Sequence, residues 1–459
     1  MAKFTAPVTK GQRLSGTVAD LTYEAMGVVK VGQDYPIFVA NALTSEEIEF
    51  QVTKVNAHYG FGRLLKIVTE SPDRVPADTR NYLQTGIAPL AHLAYSAQLK
   101  FKQEQVVNSL AKFHLDWQVQ PTLAAPKETG YRNKAQVPVK MVAGVLQTGF
   151  YRQRSHDLIP MTDFLIQDPR IDQTIQSIRD ILREYQVPAY DETTGKGTLR
   201  HIMVRRAQAT GQQMVVLVSK QRHLPNEVAV VEQISQLPEI TSIIVNFNPK
   251  KTNVILGVKE RLVFGHLYLE DELLGHQFHI SAQSFYQVNH DQTERLYQTA
   301  IDTAQLQPTD VVVDAYSGIG TIGISVADQV KQVREIEVVP EAVADAKNNA
   351  QLNGVTNMDF TVGKAEEIMP QWAAADVKMD VLFVDPPRKG LSPEFVAAVL
   401  AVKPQKIVYI SCNPATLARD LSLLTAGGYQ GNQVQPVDMF PQPTHVETVV
   451  LMSRVNLSK

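Results

Sequence analysis

From about His276 to its end the chain alternates short apolar runs with helical stretches, and no other feature limits its fold as much. Val311-Val312-Val313-Asp314 reads as a buried strand, Val333 to Val338 as the next, and Val381-Leu382-Phe383-Val384 and Ile407-Val408-Tyr409-Ile410 as two more. Helical patterns such as Pro340 to Leu352 separate them. Strands alternating with helices predict an α/β fold, a doubly wound, mainly parallel Rossmann-like sheet. Ligands of such sheets sit at the carboxyl ends of the strands, so the chemistry is expected there.

The remainder of the 459 residues is too long for one further core. At roughly 100 to 200 residues per domain three segments are expected: 1–70, 71–274 and 275–459. From Gly11 to about Val68, apolar and polar residues alternate in short runs (Leu14, Gly16, Val18; Ile48, Phe50, Val52), with Gly27, Gly32, Gly60 and Gly62 as breakers. That pattern predicts a small all-β barrel, either a structural cap or an oligonucleotide-binding module. The middle segment reads as mixed α/β and holds two basic stretches. Lys127, Arg132, Lys134, Lys140, Arg152 and Arg154 stand against the single acid Glu128, with Tyr131, Phe150 and Tyr151 interleaved. Lys196, Arg200, Arg205, Arg206, Lys220 and Arg222 follow with no acid between Thr193 and Asn226. Such stretches suit phosphate neutralisation and base stacking, or are solvated faces.

The formal net charge of −3 leaves any nucleic-acid affinity to local basic surface. No apolar run reaches the length of a membrane span, and Met1-Ala2-Lys3-Phe4-Thr5 lacks the apolar core of a signal peptide. One cysteine rules out an internal disulfide framework. A cytoplasmic monomer without a membrane segment is expected.

Asp314-Ala315-Tyr316-Ser317-Gly318-Ile319-Gly320 follows the first strand, and its glycines let the backbone turn tightly and approach a ligand. Glu337 ends the next strand, where a carboxylate can accept hydrogen bonds from both ribose hydroxyls. Gly318, Gly320 and Gly323 also satisfy the G-x-G-x-x-G fingerprint, so the loop alone suits a nicotinamide cofactor as well as S-adenosylmethionine. Asp314 just ahead of the loop is the methyltransferase arrangement. Beyond two later strands come Asp385-Pro386-Pro387-Arg388-Lys389-Gly390 and Ser411-Cys412-Asn413-Pro414-Ala415-Thr416. Methylation at a pyrimidine C5 needs a soft nucleophile to add at C6 and make C5 an enolate carbon, and a thiolate serves. Cys412 precedes Pro414 and a helical run to Leu424, whose N-terminus is expected to stabilise the thiolate. Without that context a lone cysteine is more often a small buried hydrophobe.

Together with Phe285-Tyr286-Gln287-Val288-Asn289 and His445-Val446-Glu447-Thr448, these stretches resemble the RNA 5-methyluridine methyltransferases of the RumA/TrmA type over nearly the whole chain. The resemblance implies that Gln287, Tyr316, Glu337 and Asp385, with Gly318 and Gly320 of the loop, contact S-adenosylmethionine. It implies that Cys412 is the nucleophile and that Glu447 removes the C5 proton. It also implies that the barrel is an RNA-binding, OB-like TRAM domain, and that the partner is structured RNA, ribosomal RNA ahead of transfer RNA. The blander roles are a backbone-satisfying Gln287, a core Tyr316, a helix-capping Asp385 and a water-facing Glu447. Two other functions compete: an RNA-binding assembly factor with a vestigial catalytic domain, and a nicotinamide-dependent oxidoreductase, which leaves the cysteine motif unexplained. Many relatives hold an iron–sulfur cluster on four cysteines. Here the matching region, around Ala77, Thr85, Ala88 and Phe164, has none, so no cluster and no other metal is expected. Glu335 stands where relatives tend to have glycine.

Overall fold

The structure, a computed structural model, describes residues 6–77 and 80–455, and Met1–Thr5 lie outside the described residues. The chain divides into two compact units. One ends at Gln105 and includes Phe440–Thr444; the other takes in Val106–Met439 and resumes at His445.

In the first unit, strands Arg13–Leu21, Met26–Val31, Tyr35–Ala40, Gly60–Thr69 and Glu47–Val55 pair in that order and close into a barrel. The alternation in sequence becomes an alternation of burial, because a pleated strand sends successive side chains to opposite faces. Ile48, Phe50 and Val52 turn inward against Val18, Val29, Ile37 and Val39. Gly62 is required by close approach, since a Cβ there would lie 2.8 Å from Phe50 and 3.0 Å from Val39. Outside, Phe38, Tyr59 and Phe61 form a cluster with ring centroids 5.7 to 5.8 Å apart. No helix among the described residues is long and apolar enough to cross a membrane.

The second unit holds two large sheets. The first has seven strands, running in space from Lys259–Gly265 through Ile240–Phe247, Gln213–Ser219, Leu199–Arg206, Lys134–Val142 and Val145–Tyr151 to Leu158–Pro160. Much of the expected basic surface is built into this sheet. Arg200 is buried and donates to the carbonyls of Asn248 at 3.0 Å and Lys250 at 2.7 Å. Arg205 is 2% exposed, and Arg206 pairs with Asp168 at 3.3 Å and Glu239 at 3.2 Å. Arg132 and Lys134 are also partly buried, whereas Arg152, Arg154, Lys196 and Arg222 are exposed. Arg206 of the stretch without acids finds its acids in distant segments, which leaves Lys196 and Arg222 as its exposed cations among the residues named.

The second sheet carries, in chain order, Val311–Ala315, Gln332–Glu337, Met358–Val362, Val381–Val384, Lys406–Ser411, Gln433–Val437 and Glu447–Arg454. Their spatial order is third, second, first, fourth, fifth, seventh, sixth, with Glu447–Arg454 antiparallel to its neighbours. Apolar runs such as Val381–Val384 are wholly buried because helices cover both faces of a parallel sheet. Helix Pro340–Leu352 starts on a proline at its first position and runs as the sequence predicts. The strand order reverses between Val311–Ala315 and Val381–Val384, which opens a crevice at their carboxyl ends. Asp314 and Asp385 flank it.

Candidate active site

The loop after Val311–Ala315 turns through left-handed backbone at Tyr316 (φ 67°), Gly318 (φ 58°) and Gly320 (φ 82°). Tyr316 is not a glycine, so this conformation is strained and must be held by its surroundings. Its ring packs on Phe395 with centroids 5.4 Å apart. A Cβ on Gly318 would meet nothing within 4 Å, so the loop leaves its outer face open there. Glu337 accepts from Gly318 N at 3.1 Å and from Val339 N at 2.9 Å, which fixes its carboxylate at the strand end. Gln287, Tyr297, Tyr316, Gly318 and Asp385 line a cavity of about 70 Å³.

Gly320 and Gly323 are glycines for a different reason from the one their fingerprint suggests. A Cβ on Gly320 would lie 2.9 Å from a Glu335 carboxyl oxygen, and one on Gly323 would lie closer still. Glu335, 2% exposed on the neighbouring strand, fills the space beneath the loop. Burial, and then the charge of Asp314, hold its pKa well above the usual carboxylate range. The residue that departs from the family pattern therefore props the loop from below and does not line the cavity.

The carboxyls around the crevice are buried without full neutralisation. Burial, then Asp385, push Asp314 up to about 8. Burial raises Asp385 to about 7 and, with Asp385 beside it, Glu447 to about 8. Such a set favours a cationic ligand, because positive charge nearby lowers the cost of ionising a buried acid. S-adenosylmethionine, with its sulfonium and ammonium, fits that demand.

Cys412 and Glu447 come together through strand register. Ser411 pairs with Thr448 where Lys406–Ser411 and Glu447–Arg454 run antiparallel, and Thr448 Oγ1 donates to Ser411 O at 3.1 Å. The ladder ends at that pair, and Cys412 follows in a bend next to Ser411 while Glu447 precedes Thr448, near enough for the Glu447 charge to act on the thiol. Glu447 is 4% exposed, against the expectation that an acid in a strand run faces water. Cys412 is half-buried.

The thiolate expectation needs correction. Helix Pro414–Ala426 is capped by Asn413, whose side chain accepts from Ala415 N at 3.0 Å, so the helix terminus is not offered to Cys412. Burial, then Glu447 and Asp385, push the thiol up to about 11, with Arg388 opposing. The resting nucleophile is a thiol.

Residues that sequence reading missed hold this geometry. The Arg388 carbonyl accepts from Asn413 Nδ2 at 3.0 Å and from Thr416 Oγ1 at 3.3 Å, cinching the Asp385–Gly390 loop to the cysteine loop. Asp420, fully buried, accepts from Leu391 N at 2.8 Å and from the Tyr409 hydroxyl at 2.7 Å. Gly390, at φ 72°, lies so close that a Cβ would stand 2.5 Å from Asp420 Oδ2. A signal for Asp420 was present: it shares the buried stripe of its helix with Leu417, Leu421 and Leu424. An acid on an apolar face needs partners.

Residues 94–455 match the family model described as tRNA (uracil-5-)-methyltransferase. An uncharacterized RNA methyltransferase of Lactobacillus johnsonii is 52% identical, covering 97% of this chain and 99% of that protein. Another, of Lactiplantibacillus plantarum, is 51% identical over 98% of this chain and 99% of its own. The crystal structure of Pyrococcus abyssi tRNA (uracil-54, C5)-methyltransferase in complex with S-adenosyl-L-homocysteine aligns with a TM-score of 0.77 at 25% identity, covering 95% of this chain and 99% of that one. A strained glycine loop at the switch point of a mainly parallel sheet, a cysteine near a buried glutamate, and these likenesses together lead to one conclusion: the chain belongs to the S-adenosylmethionine-dependent RNA (uracil-5-)-methyltransferase family.

Proposed function

We propose that the enzyme methylates a uridine in structured RNA through a covalent adduct on Cys412, with Glu447 as general base. The observation that carries this reading is the pairing of Ser411 with Thr448, which brings Cys412 and Glu447, the residues next to them, close enough to interact. The uridine is flipped out of its stack to reach them. The Cys412 thiol first loses its proton to solvent; the thiolate Sγ then bonds to C6, and the electron pair of the C5–C6 double bond moves toward O4 as an enolate. S-adenosylmethionine supplies an electrophilic methyl on a sulfonium leaving group. C5 takes that methyl, the Glu447 carboxylate removes the C5 proton, and the double bond reforms as the C6–S bond breaks and the thiolate departs. A carboxyl raised to about 8 is a stronger base than an ordinary glutamate, which suits an acid that must take a carbon-bound proton. Gln287, Tyr316, Gly318, Gly320, Glu337 and Asp385 hold the cofactor; the unneutralised carboxyls near its site favour a cation, and Glu337 at the strand end favours a ribose.

The barrel, with exposed Tyr59 set against half-buried Phe38 and Phe61, binds RNA bases by stacking. The enzyme works in the cytoplasm as a monomer. It needs no iron–sulfur cluster: Ala88 and Phe164 are buried apolar residues, and Cys412 is the chain's single cysteine. Ribosomal RNA is the substrate the sequence resemblance favours, and transfer RNA, named in the Pyrococcus relative, is the second.

The variants at the two catalytic positions should fail at different steps. Cys412→Ala should form neither methylated product nor adduct. Glu447→Gln should accumulate a denaturation-resistant protein–RNA adduct that carries the methyl, as should the wild type on 5-fluorouridine RNA. Sequencing the trapped RNA identifies the substrate. Methylation by Cys412→Ala, or an inactive Glu447→Gln without adduct on a confirmed substrate, refutes the assigned roles.

A further inference from the structure

Three cations at the start of the central sheet are not explained by the chemistry above. Lys134 lies directly across from Arg205 in the ladder between Lys134–Val142 and Leu199–Arg206, so their side chains share a face. Arg132, two residues before Lys134, turns its Nε to the Lys134 carbonyl at 2.9 Å. On the other side, Arg132 bridges Asn289, and Asn133 donates from its backbone to Val288 O at 2.8 Å and from Nδ2 to Gln287 O at 3.1 Å. That register brings Lys134 beside Gln287, which lines the cavity at the switch point.

Among the described residues Asp271 offsets part of this charge at Arg205 across space, without forming an ion pair. No ion pair forms to Arg132, Lys134 or Arg205 among the described residues. Arg205 is 2% exposed and gives one nitrogen to Ser284 O at 2.8 Å, while Nε and Nη1 have no hydrogen-bond partner. The nearby carboxylate, Asp271, is buried and accepts from Ala209 N at 2.8 Å. Burial, then Arg205 and Arg132, push the Lys134 ammonium down to about 7. A buried guanidinium with open donors is costly unless an anion arrives to meet it.

We propose that Arg132, Lys134 and Arg205 form an oxyanion seat beside Gln287 that takes the phosphodiester adjoining the target uridine. This rests on the reading that an RNA uridine enters the pocket. The seat differs from a solvated basic face: its cations are set by strand register on the segment that pairs with Gln287–Asn289, and one of them is wholly interior. A phosphate held there fixes the backbone on one side of the nucleotide while its base turns toward Cys412. Lys134 and Arg132 make the contact, and Arg205 behind them supplies field and holds the ladder.

The test uses the full-length protein with fluorescein-labelled total transfer RNA and fragmented ribosomal RNA, each titrated over a salt series. Lys134→Gln should lower the slope of log affinity against log salt by about 0.7 to 0.9, the value of one lost phosphate contact. Lys134→Arg should restore the slope, which a merely structural role would not predict. S-adenosylmethionine affinity, measured by calorimetry, should not change in Lys134→Gln. An unchanged slope overturns the seat, and so does failure of the wild type to bind either RNA. A lost cofactor affinity with an unchanged slope also overturns it, because the cations would then hold the cofactor's carboxylate. A reduced slope in a protein that never traps on 5-fluorouridine RNA upholds the seat and sinks the catalytic roles instead.

Discussion

Cys412 of the free enzyme should alkylate slowly at neutral pH although it is only half-buried. Its thiol is pushed up to about 11 by burial and by the carboxyls of Glu447 and Asp385. At pH 7 about one molecule in 10⁴ then carries the thiolate, a gap of roughly 5.4 kcal/mol at about 1.36 kcal/mol per pH unit. A free cysteine with a pKa of about 8.5 holds about 3% thiolate at that pH, roughly 300-fold more. The more basic thiolate is intrinsically the better nucleophile, and a Brønsted slope of about 0.4 to 0.5 returns roughly tenfold. The net deficit is about 20- to 30-fold. Because the chain has a single cysteine, iodoacetamide uptake read by intact mass reports on Cys412 alone, and the rate should still be climbing at pH 9. Glu447→Gln adds an internal control. Glu447 titrates near 8, so below that pH it is largely neutral and glutamine changes little. Above it the carboxylate opposes the thiolate, and the variant should pull ahead of wild type. Labelling at pH 7 as fast as free cysteine would refute this account, as would a Glu447→Gln protein that labels more slowly than wild type at pH 9.

Asp314, Asp385 and Glu447 have folded pKa values of about 8, 7 and 8, above their unfolded values. Through these three groups the folded state binds more protons than the unfolded one, so their contribution to ligand-free stability should be full below about pH 4 and be lost as pH rises through 8. Urea midpoints across that range check the sign, and Glu447→Gln should flatten the fall. Gly390→Ala should lower unfolding free energy by at least about 1 to 2 kcal/mol from its left-handed backbone alone, and should slow adduct formation by pushing on Asp420. A urea midpoint equal to wild type would remove the packing argument. Metal analysis of protein prepared without oxygen should find no stoichiometric iron or sulfide, and their presence would reverse the reading of Ala77, Thr85, Ala88 and Phe164.

The sequence alone determined the classes of element and the family. Wholly apolar runs such as Val381–Val384 could only be strands covered on both faces, the period-two segment before Val68 could only bury one face, and Pro340–Leu352 announced its own start. Cys412 was legible because thiolate chemistry at a pyrimidine has few alternatives and its motif is specific. What tertiary structure decided were matters of register and field, which depend on residues far apart in the chain. Glu447 comes near Cys412 because two strands align Ser411 with Thr448, the residues next to each of them, and no local pattern encodes that pairing. The thiol is raised and not lowered because burial, then the carboxyls of Glu447 and Asp385 from distant segments, outweigh Arg388. Arg206 is neutralised by Asp168 and Glu239 from other segments, whereas Arg205 is left with open donors. The identical-looking charges of one sequence stretch thus acquire different roles, because electrostatic energy depends on burial and distance in space, neither of which follows from order along the chain.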